Sequence, residues 1–244
     1  MLDRISVELT NECSKACSFC YNTSSPAGAT QWSPDEVVAF AVDCAANGIG
    51  ALSLGGGEPL QYPGLFQILR ALDGTLFRSF TTNGLLLDEM LDRVVQARPD
   101  KVHVSLHFPE REPELRRVIR QVGDLAECGI TSGVNLLIRN SHLRAASSAA
   151  QRLYAAGIGV ERIMFLPMRG EDTPTARDVL AVAANSRFQS MTCLLSCAAS
   201  DRFASIGWDK RVAWCSYTAT RQRLERPTYG ALMAALDGLA LATC

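Results

Sequence analysis

The sequence predicts an α/β fold: a partial (β/α)6 barrel of parallel strands, followed by a small C-terminal extension made of a β-hairpin plus a helix. Three observations carry that expectation. Strand-like runs alternate with helix-period runs six times between residues 5 and 188, at about thirty residues per pair, and such alternation demands parallel strands joined by right-handed crossovers. Six pairs are too few to close an eight-stranded barrel, so the sheet stays open, with an active site expected at the carboxyl ends of its strands. Beyond residue 190 the alternation stops and a short two-strand pattern replaces it. The expected domains are therefore 1–190 and 191–244.

Ile5–Thr10 alternates apolar and polar residues as a half-buried strand does. Ser33-Pro34-Asp35-Glu36 supplies an N-cap, a proline at the first helical position and a capping-box glutamate. Val37, Phe40, Ala41 and Cys44 follow at helical spacing and Gly48 closes the helix, so Cys44 belongs to a core face. The next pairs are Ala51–Leu54 with Leu65–Leu72, Leu76–Thr81 with Asp88–Ala97, and Val102–Leu106 with Glu112–Glu127. In the last of these helices Leu115, Val118, Val122 and Leu125 share one side, and Cys128, just ahead of Gly129, reads as a packed thiol. Val134–Ile138 with Ser141–Ala156 and Val160–Leu166 with Thr175–Phe188 complete the six. In the tail, Phe203–Ile206 and Arg211–Trp214 form a hairpin across Gly207-Trp208-Asp209-Lys210, and Thr228–Leu241 is helical.

The 24 Lys and Arg residues balance 25 Asp and Glu, for a formal charge of −1. That argues against nucleic acid as a partner and against a polybasic membrane clamp. A composition of 48% apolar and 20% charged residues fits a globular chain. Asp3, Arg4 and Glu8 interrupt the N-terminus, so no signal peptide is read there, and Ala231–Leu236 is far too short to span a bilayer. A cytoplasmic location is expected. Arg111, Arg116, Arg117 and Arg120 alternate with glutamates and read as a solvated helix face; Arg221, Arg223 and Arg226 are read the same way.

Nine cysteines are many for 244 residues, and they cluster. Cys13, Cys17 and Cys20 lie within eight residues directly after the first strand, and Cys193, Cys197, Cys215 and Cys244 fall late. In a reducing compartment such clusters read as metal ligands before disulfides. The spacing of the first three lets one loop wrap three corners of an iron–sulfur cubane and leave its fourth iron open. A zinc site is the alternative on the residues alone.

Here the chain resembles the radical S-adenosylmethionine (SAM) superfamily. The match is Cys13-x3-Cys17-x2-Cys20 with the aromatic Phe19 before the third cysteine, then Gly55-Gly56-Gly57-Glu58-Pro59 at the second strand's end. Thr82-Asn83-Gly84 after the third strand and Val104-Ser105-Leu106 in the fourth add to it. The resemblance implies that Cys13, Cys17 and Cys20 hold a [4Fe–4S] cluster whose open iron is chelated by SAM. Glycines at 55–57 allow close backbone approach to the methionine end, and Glu58 is placed to accept from its ammonium group. Ser105 and Asn135 are similar to positions that touch the ribose and carboxylate, while Asn83 serves as ligand contact or as a turn residue. His107 ends the fourth strand where many relatives carry Asp, and is a candidate substrate-facing acid or base. His103 shares its face, and His142 reads as a helix-start surface residue.

Cys193-x3-Cys197-x17-Cys215, with a hairpin between and Cys244 after a helix, resembles the start of a SPASM/twitch extension, which implies a second, auxiliary [4Fe–4S] cluster. Ala198-Ala199 stands where that extension usually has a glycine, and Asp209-Lys210 replaces its Asp-Gly turn. The implied reaction is cleavage of SAM to a 5′-deoxyadenosyl radical that takes hydrogen from a substrate. The resemblance favours oxidation, crosslinking or epimerisation of a ribosomally made peptide, with oxidation of a small alcohol such as an aminocyclitol or sugar as the alternative. It implies an electron donor such as a flavodoxin or ferredoxin, and allows a separate leader-binding protein.

Overall fold

The computed structural model describes residues 2–184 and 201–241. Its strands are β1 (Arg4–Thr10), β2 (Ala51–Gly56), β3 (Phe77–Thr82), β4 (Lys101–Leu106), β5 (Ser132–Ile138), β6 (Ile163–Pro167), β7 (Phe203–Ile206), β8 (Arg211–Ala213) and β9 (Gln222–Arg223). The α-helices are α1 (Pro34–Ala46), α2 (Leu65–Ala71), α3 (Leu87–Ala97), α4 (Glu112–Glu127), α5 (Leu143–Ala155), α6 (Ala176–Val182) and α7 (Tyr229–Asp237). The expected order of six β/α pairs, then a hairpin and a helix, is present. Among the described residues no helix is long and apolar enough to cross a membrane.

The chain divides into two compact units, the first holding residues 2–82, 89–100 and 201–241, the second 83–88 and 101–184. In the first unit β2 lies between β1 and β3, all parallel, with Ile5 opposite Leu52 and Leu52 opposite Arg78. The other edge of β1 takes β7, also parallel, from Arg4↔Phe203 to Val7↔Ile206, and β8 and β9 follow antiparallel. Period-two alternation sends Ile5, Val7 and Leu9 into the core and leaves Ser6, Glu8 and Thr10 on the opposite face. Helix α1 starts as expected: Ser33 Oγ accepts from Glu36 N–H at 3.2 Å, and Glu36 Oε2 accepts from Ser33 N–H at 3.0 Å. Its buried face is Val37, Phe40, Ala41 and Cys44. Burial, with Asp43 beside it, pushes the Cys44 thiol up to about 12, so it packs as an apolar side chain.

Three bonds tie the hairpin of β7 and β8 to the segment before α1 and to the first turn of that helix. Trp32 Nε1–H donates to Gly207 O at 3.0 Å, Gln31 N–H to Trp208 O at 2.9 Å, and Lys210 Nζ to Glu36 at 2.7 Å. Helix α7 meets α1 where Tyr229 N–H donates to Asp43 at 2.7 Å.

In the second unit β5 lies between β4 and β6, again all parallel. Val102, Val104 and Leu106 of β4 and Val134, Leu136 and Ile138 of β5 are fully buried, as are Val118, Val122 and Leu125 of α4. The opposite face carries Lys101, His103 and Ser105 on β4 and Gly133 and Asn135 on β5.

Several expectations need correction. Val160–Arg162 is a 3-10 turn closed by Arg162 N–H on Gly159 O at 2.9 Å, so the sixth strand starts only at Ile163. A similar turn over Asn140–His142, held by Ser141 N–H to Asp172 at 2.7 Å, delays α5 to Leu143. Helix α6 has a Thr175–Asp178 capping box but ends at Val182, with Ala184 left-handed at φ +53°; residues 185–188, expected to prolong it, lie outside those described. Helix α7 stops at Asp237 rather than Leu241. Cys128 is exposed instead of packed, because it caps the end of α4 beyond its last buried residue, Leu125. Arg117 is not solvated: it reaches Asn83 O at 3.2 Å. Arg221 is not either, since it donates to Ser216 O at 2.8 Å and stands 3.8 Å from Glu8.

Candidate functional site

The first unit presents the cysteine loop at the carboxyl end of β1. Asn11 clasps its base: Asn11 N–H donates to Ala29 O at 3.0 Å, Ala29 N–H to Asn11 Oδ1 at 2.6 Å, and Ser25 N–H to Asn11 O at 3.1 Å. Within the clasp, Cys13 N–H donates to Ser25 O at 2.9 Å and Cys20 N–H to Cys17 O at 3.1 Å. Cys13 is buried, whereas Cys17, Phe19 and Cys20 are half-buried.

The glycine turn at the end of β2 is bonded to that loop through its backbone. Gly57 N–H donates to Thr10 O at 2.6 Å and Glu58 N–H to Glu12 O at 2.8 Å. Gly56 has φ +105°, and a Cβ there would strike Thr10 O; a Cβ on Gly57 would strike the Glu12 carbonyl. A Cβ on Gly55 would meet no heavy atom within 4 Å. The chain's own packing therefore requires glycine at 56 and 57, and leaves the face of Gly55 open. Glu58 is 1% exposed, and its Oε1 accepts from Leu60 N–H at 3.1 Å and from Thr82 Oγ1 at 2.7 Å. This carboxylate thus anchors the glycine turn to the end of β3.

Beside the turn lies a residue that sequence reading missed. Glu8 is opposite Gly55 in the strand register and 2% exposed, and its Oε1 has no hydrogen-bond partner. Burial, reinforced by Asp209, pushes its carboxyl up to about 7 against the opposing pull of Arg221, the Trp208 backbone and the Tyr21 hydroxyl. Tyr21 in turn stacks at a tilt on Tyr217, ring centres 5.0 Å apart. The signal was present in the polar alternation Ser6, Glu8, Thr10.

The second unit carries the remaining expected positions. Ser105 and Asn135 are register partners on one face, and His103 Nδ1 meets Asn135 Oδ1 at 2.6 Å. Burial holds His103 below the usual histidine range, with Lys101 adding to the effect against the Asn135 bond. Asn83 is a turn residue, its Oδ1 accepting from Leu85 N–H at 2.8 Å before left-handed Gly84. His107 is half-buried, with its backbone N–H on Glu114 Oε1 at 2.8 Å. His142 is a surface residue at the helix start, as expected, with its ring on Ser141 Oγ at 2.7 Å. Cys215 lies two residues beyond β8; Cys193, Cys197 and Cys244 lie outside the described residues.

Residues 7–173 match the radical SAM superfamily, a span that includes both the cysteine loop and the glycine turn. The chain belongs to the radical SAM superfamily. Among curated relatives, a probable GTP 3',8-cyclase of Methanocella arvoryzae is 32% identical over 111 residues, 46% of this chain and 36% of that protein. The GTP 3',8-cyclase of Chlorobaculum tepidum is 32% identical over 114 residues, 46% of this chain and 34% of that one. The matched part thus spans about a third of these relatives. Among solved structures, Streptococcus suis SuiB bound to precursor peptide SuiA has a TM-score of 0.73 at 12% identity, covering 95% of this chain and 64% of SuiB. The anSMEcpe structure with bound AdoMet has a TM-score of 0.69 at 12% identity, covering 96% of this chain and 77% of that one. At such identities the likeness speaks for the fold, a partial radical SAM barrel with antiparallel strands after it.

Radical SAM membership implies a [4Fe–4S] cluster and SAM. The donor set fits: three soft thiolates on one clasped loop, with a side-chain-free glycine face on the adjoining turn. Among the described residues no three His, Cys, Asp or Glu side chains converge tightly enough for a single metal ion.

Proposed function

We propose that this chain is a radical SAM enzyme that takes a hydrogen atom from a peptide, with Cys13, Cys17 and Cys20 as the ligands of its [4Fe–4S] cluster. Bound there, the cluster and SAM supply a reductively generated 5′-deoxyadenosyl radical. The chain's own residues bind and orient. Cys13, Cys17 and Cys20 on the clasped loop would hold the cluster with a site open to SAM, and the open face of Gly55 would admit the methionine end to the backbone. On this reading Ser105 and Asn135 offer a hydroxyl and an amide to the ribose and carboxylate, and His107 holds or moves a substrate proton. The observation that carries this reading is the pair of backbone bonds from Gly57 and Glu58 to Thr10 and Glu12, which make one structure of the two motifs.

The choice of a peptide is supported by two solved neighbours that hold one, SuiB bound to precursor peptide SuiA and anSMEcpe with bound AdoMet and Cp18Cys peptide. The likeness to GTP 3',8-cyclases covers less than half of this chain. Cys193, Cys197, Cys215 and Cys244 are proposed as ligands of an auxiliary cluster, which would accept the electron of an oxidised substrate, and a flavodoxin or ferredoxin as donor to the first cluster. Oxidation of a small alcohol, such as an aminocyclitol or sugar, stands as the second reading.

Iron and sulfide after anaerobic reconstitution, with SAM cleavage under dithionite, test the proposal. Wild type is expected to hold about eight irons and Cys13/Cys17/Cys20→Ala about four, with SAM cleavage lost. About four falling to none would remove the auxiliary cluster. Candidate precursor peptides, aminocyclitols and GTP then compete as stimulants of 5′-deoxyadenosine formation; stimulation by GTP or a cyclitol alone would overturn the peptide reading.

A further inference from the structure

The second unit holds an arrangement that the resemblance did not supply. His103 on β4 stands opposite Gly133, and Ser105 stands opposite Asn135, so all four share one face of the β4–β5 pair. The Asn135 side chain leans back one step to His103, Nδ1 to Oδ1 at 2.6 Å. An amide oxygen only accepts, so the proton of this bond belongs to the imidazole. The NH2 of Asn135 is therefore turned away from His103. Neither that NH2 nor the Ser105 hydroxyl has a hydrogen-bond partner among the described residues, although Ser105 is only 6% exposed. Gly133 makes room for the ring: a Cβ there would come within 3.0 Å of His103 Nε2 and would collide with Arg162 O.

We propose that His103 is a positioning residue for SAM: by donating to Asn135 Oδ1 it fixes which end of the amide faces the ligand, and so presents two donors, Asn135 NH2 and Ser105 OH, to an acceptor-rich group such as the SAM carboxylate. The proposal rests on the reading of Ser105 and Asn135 as ligand residues given above. Without the imidazole donor the amide can turn over, which puts its oxygen against the carboxylate and converts an attraction into a repulsion. Burial favours the neutral ring, and both its neutral and its charged form donate from Nδ1. The function assigned to His103 is therefore orientation, and proton transfer is no part of it.

The experiment measures SAM affinity of the reconstituted protein by equilibrium dialysis, together with iron content and thermal unfolding. His103→Phe removes the donor and is expected to weaken SAM roughly five- to tenfold, as loss of one ligand-orienting hydrogen bond does. His103→Gln restores a donor to Asn135 and is expected to stay within about twofold of wild type. In an Asn135→Ala background, His103→Phe should add nothing, the signature of two residues acting through one contact. Asn135→Asp still accepts from His103 but turns an oxygen to the ligand, so it should bind SAM more weakly than Asn135→Ala. This last variant leaves the histidine untouched and keeps the test alive where His103→Phe fails to fold.

Equal weakening by His103→Phe and His103→Gln, full additivity with Asn135→Ala, or an Asn135→Asp protein that binds as tightly as wild type would each overturn the proposal. Wild-type affinity in Asn135→Ala would overturn the ligand reading of Asn135 itself. Weakening in Asn135→Ala with none in His103→Phe would sink the positioning role alone.

Discussion

In the first unit the cysteine loop and the glycine turn meet through main-chain bonds, Gly57 N–H to Thr10 O and Glu58 N–H to Glu12 O. In the second, the polar row on β4 and β5 is organised by side chains, with His103 holding Asn135 and Ser105 beside it. A backbone-built surface tolerates little: Gly56 and Gly57 are each fixed by a carbonyl that a Cβ would strike, so chemistry and fold fail together. A side-chain-built surface separates the two, because trimming a hydroxyl or an amide leaves the strands paired.

The largest expected effect that sharpens this contrast is at Gly57. In Gly57→Ala the new Cβ strikes the Glu12 carbonyl, so the Glu58–Glu12 bond must open. A loss of about 3 kcal/mol is expected by denaturant titration, with reduced iron uptake in the same sample. Intact iron loading in Gly57→Ala would mean that the turn does not shape the loop.

Next comes the pH dependence set by Glu8. Its folded-state pKa is raised to about 7 from 4.5. Between those values the folded chain keeps a proton that the unfolded chain has released, so stability is full below about pH 4.5 and falls as pH rises through 7, by roughly 3 kcal/mol. Glu8→Gln removes this slope: it should be more stable than wild type at pH 8 and no more stable at pH 5. Parallel stability–pH curves for the two proteins would exclude Glu8 as the cause.

Ser105→Ala is expected to weaken SAM binding about three- to tenfold in dialysis while the melting temperature moves little. A large drop in melting temperature would place Ser105 with the backbone-built group instead. The smallest effect belongs to Cys128→Ser, expected within about 0.5 kcal/mol of wild type and without loss of iron, since the thiol is exposed at the end of α4.

The order of elements was legible because capping and periodicity are local. Ser33-Pro34-Asp35-Glu36 announces α1, and Glu112–Glu127 is a helix over the expected residues. What escaped is set by distant partners. The parallel pairing of β7 with β1 joins residues some two hundred apart, and no local pattern marks it. Arg117 and Arg221 look like solvated charges in their own segments and are claimed by Asn83 O and Ser216 O elsewhere. The start of β6 was misplaced because Val160 has strand propensity while Gly159 closes a turn over it. At the site, the cysteines and glycines showed through their spacing. Thr82 showed only as the start of Thr82-Asn83-Gly84, with no sign that it holds Glu58, and Tyr21, which meets Glu8, carries no motif; both contacts appear only when the strands are assembled.

The Asn11 clasp has a kinetic meaning. Asn11 bonds to Ala29 and Ser25 with both its backbone and its side chain, so the entropy of closing the intervening ring is offset by the polypeptide itself. On the proposed reading of Cys13, Cys17 and Cys20 as cluster ligands, iron and sulfide would meet a loop whose base is already drawn closed, and assembly would start from the folded loop rather than from an open chain.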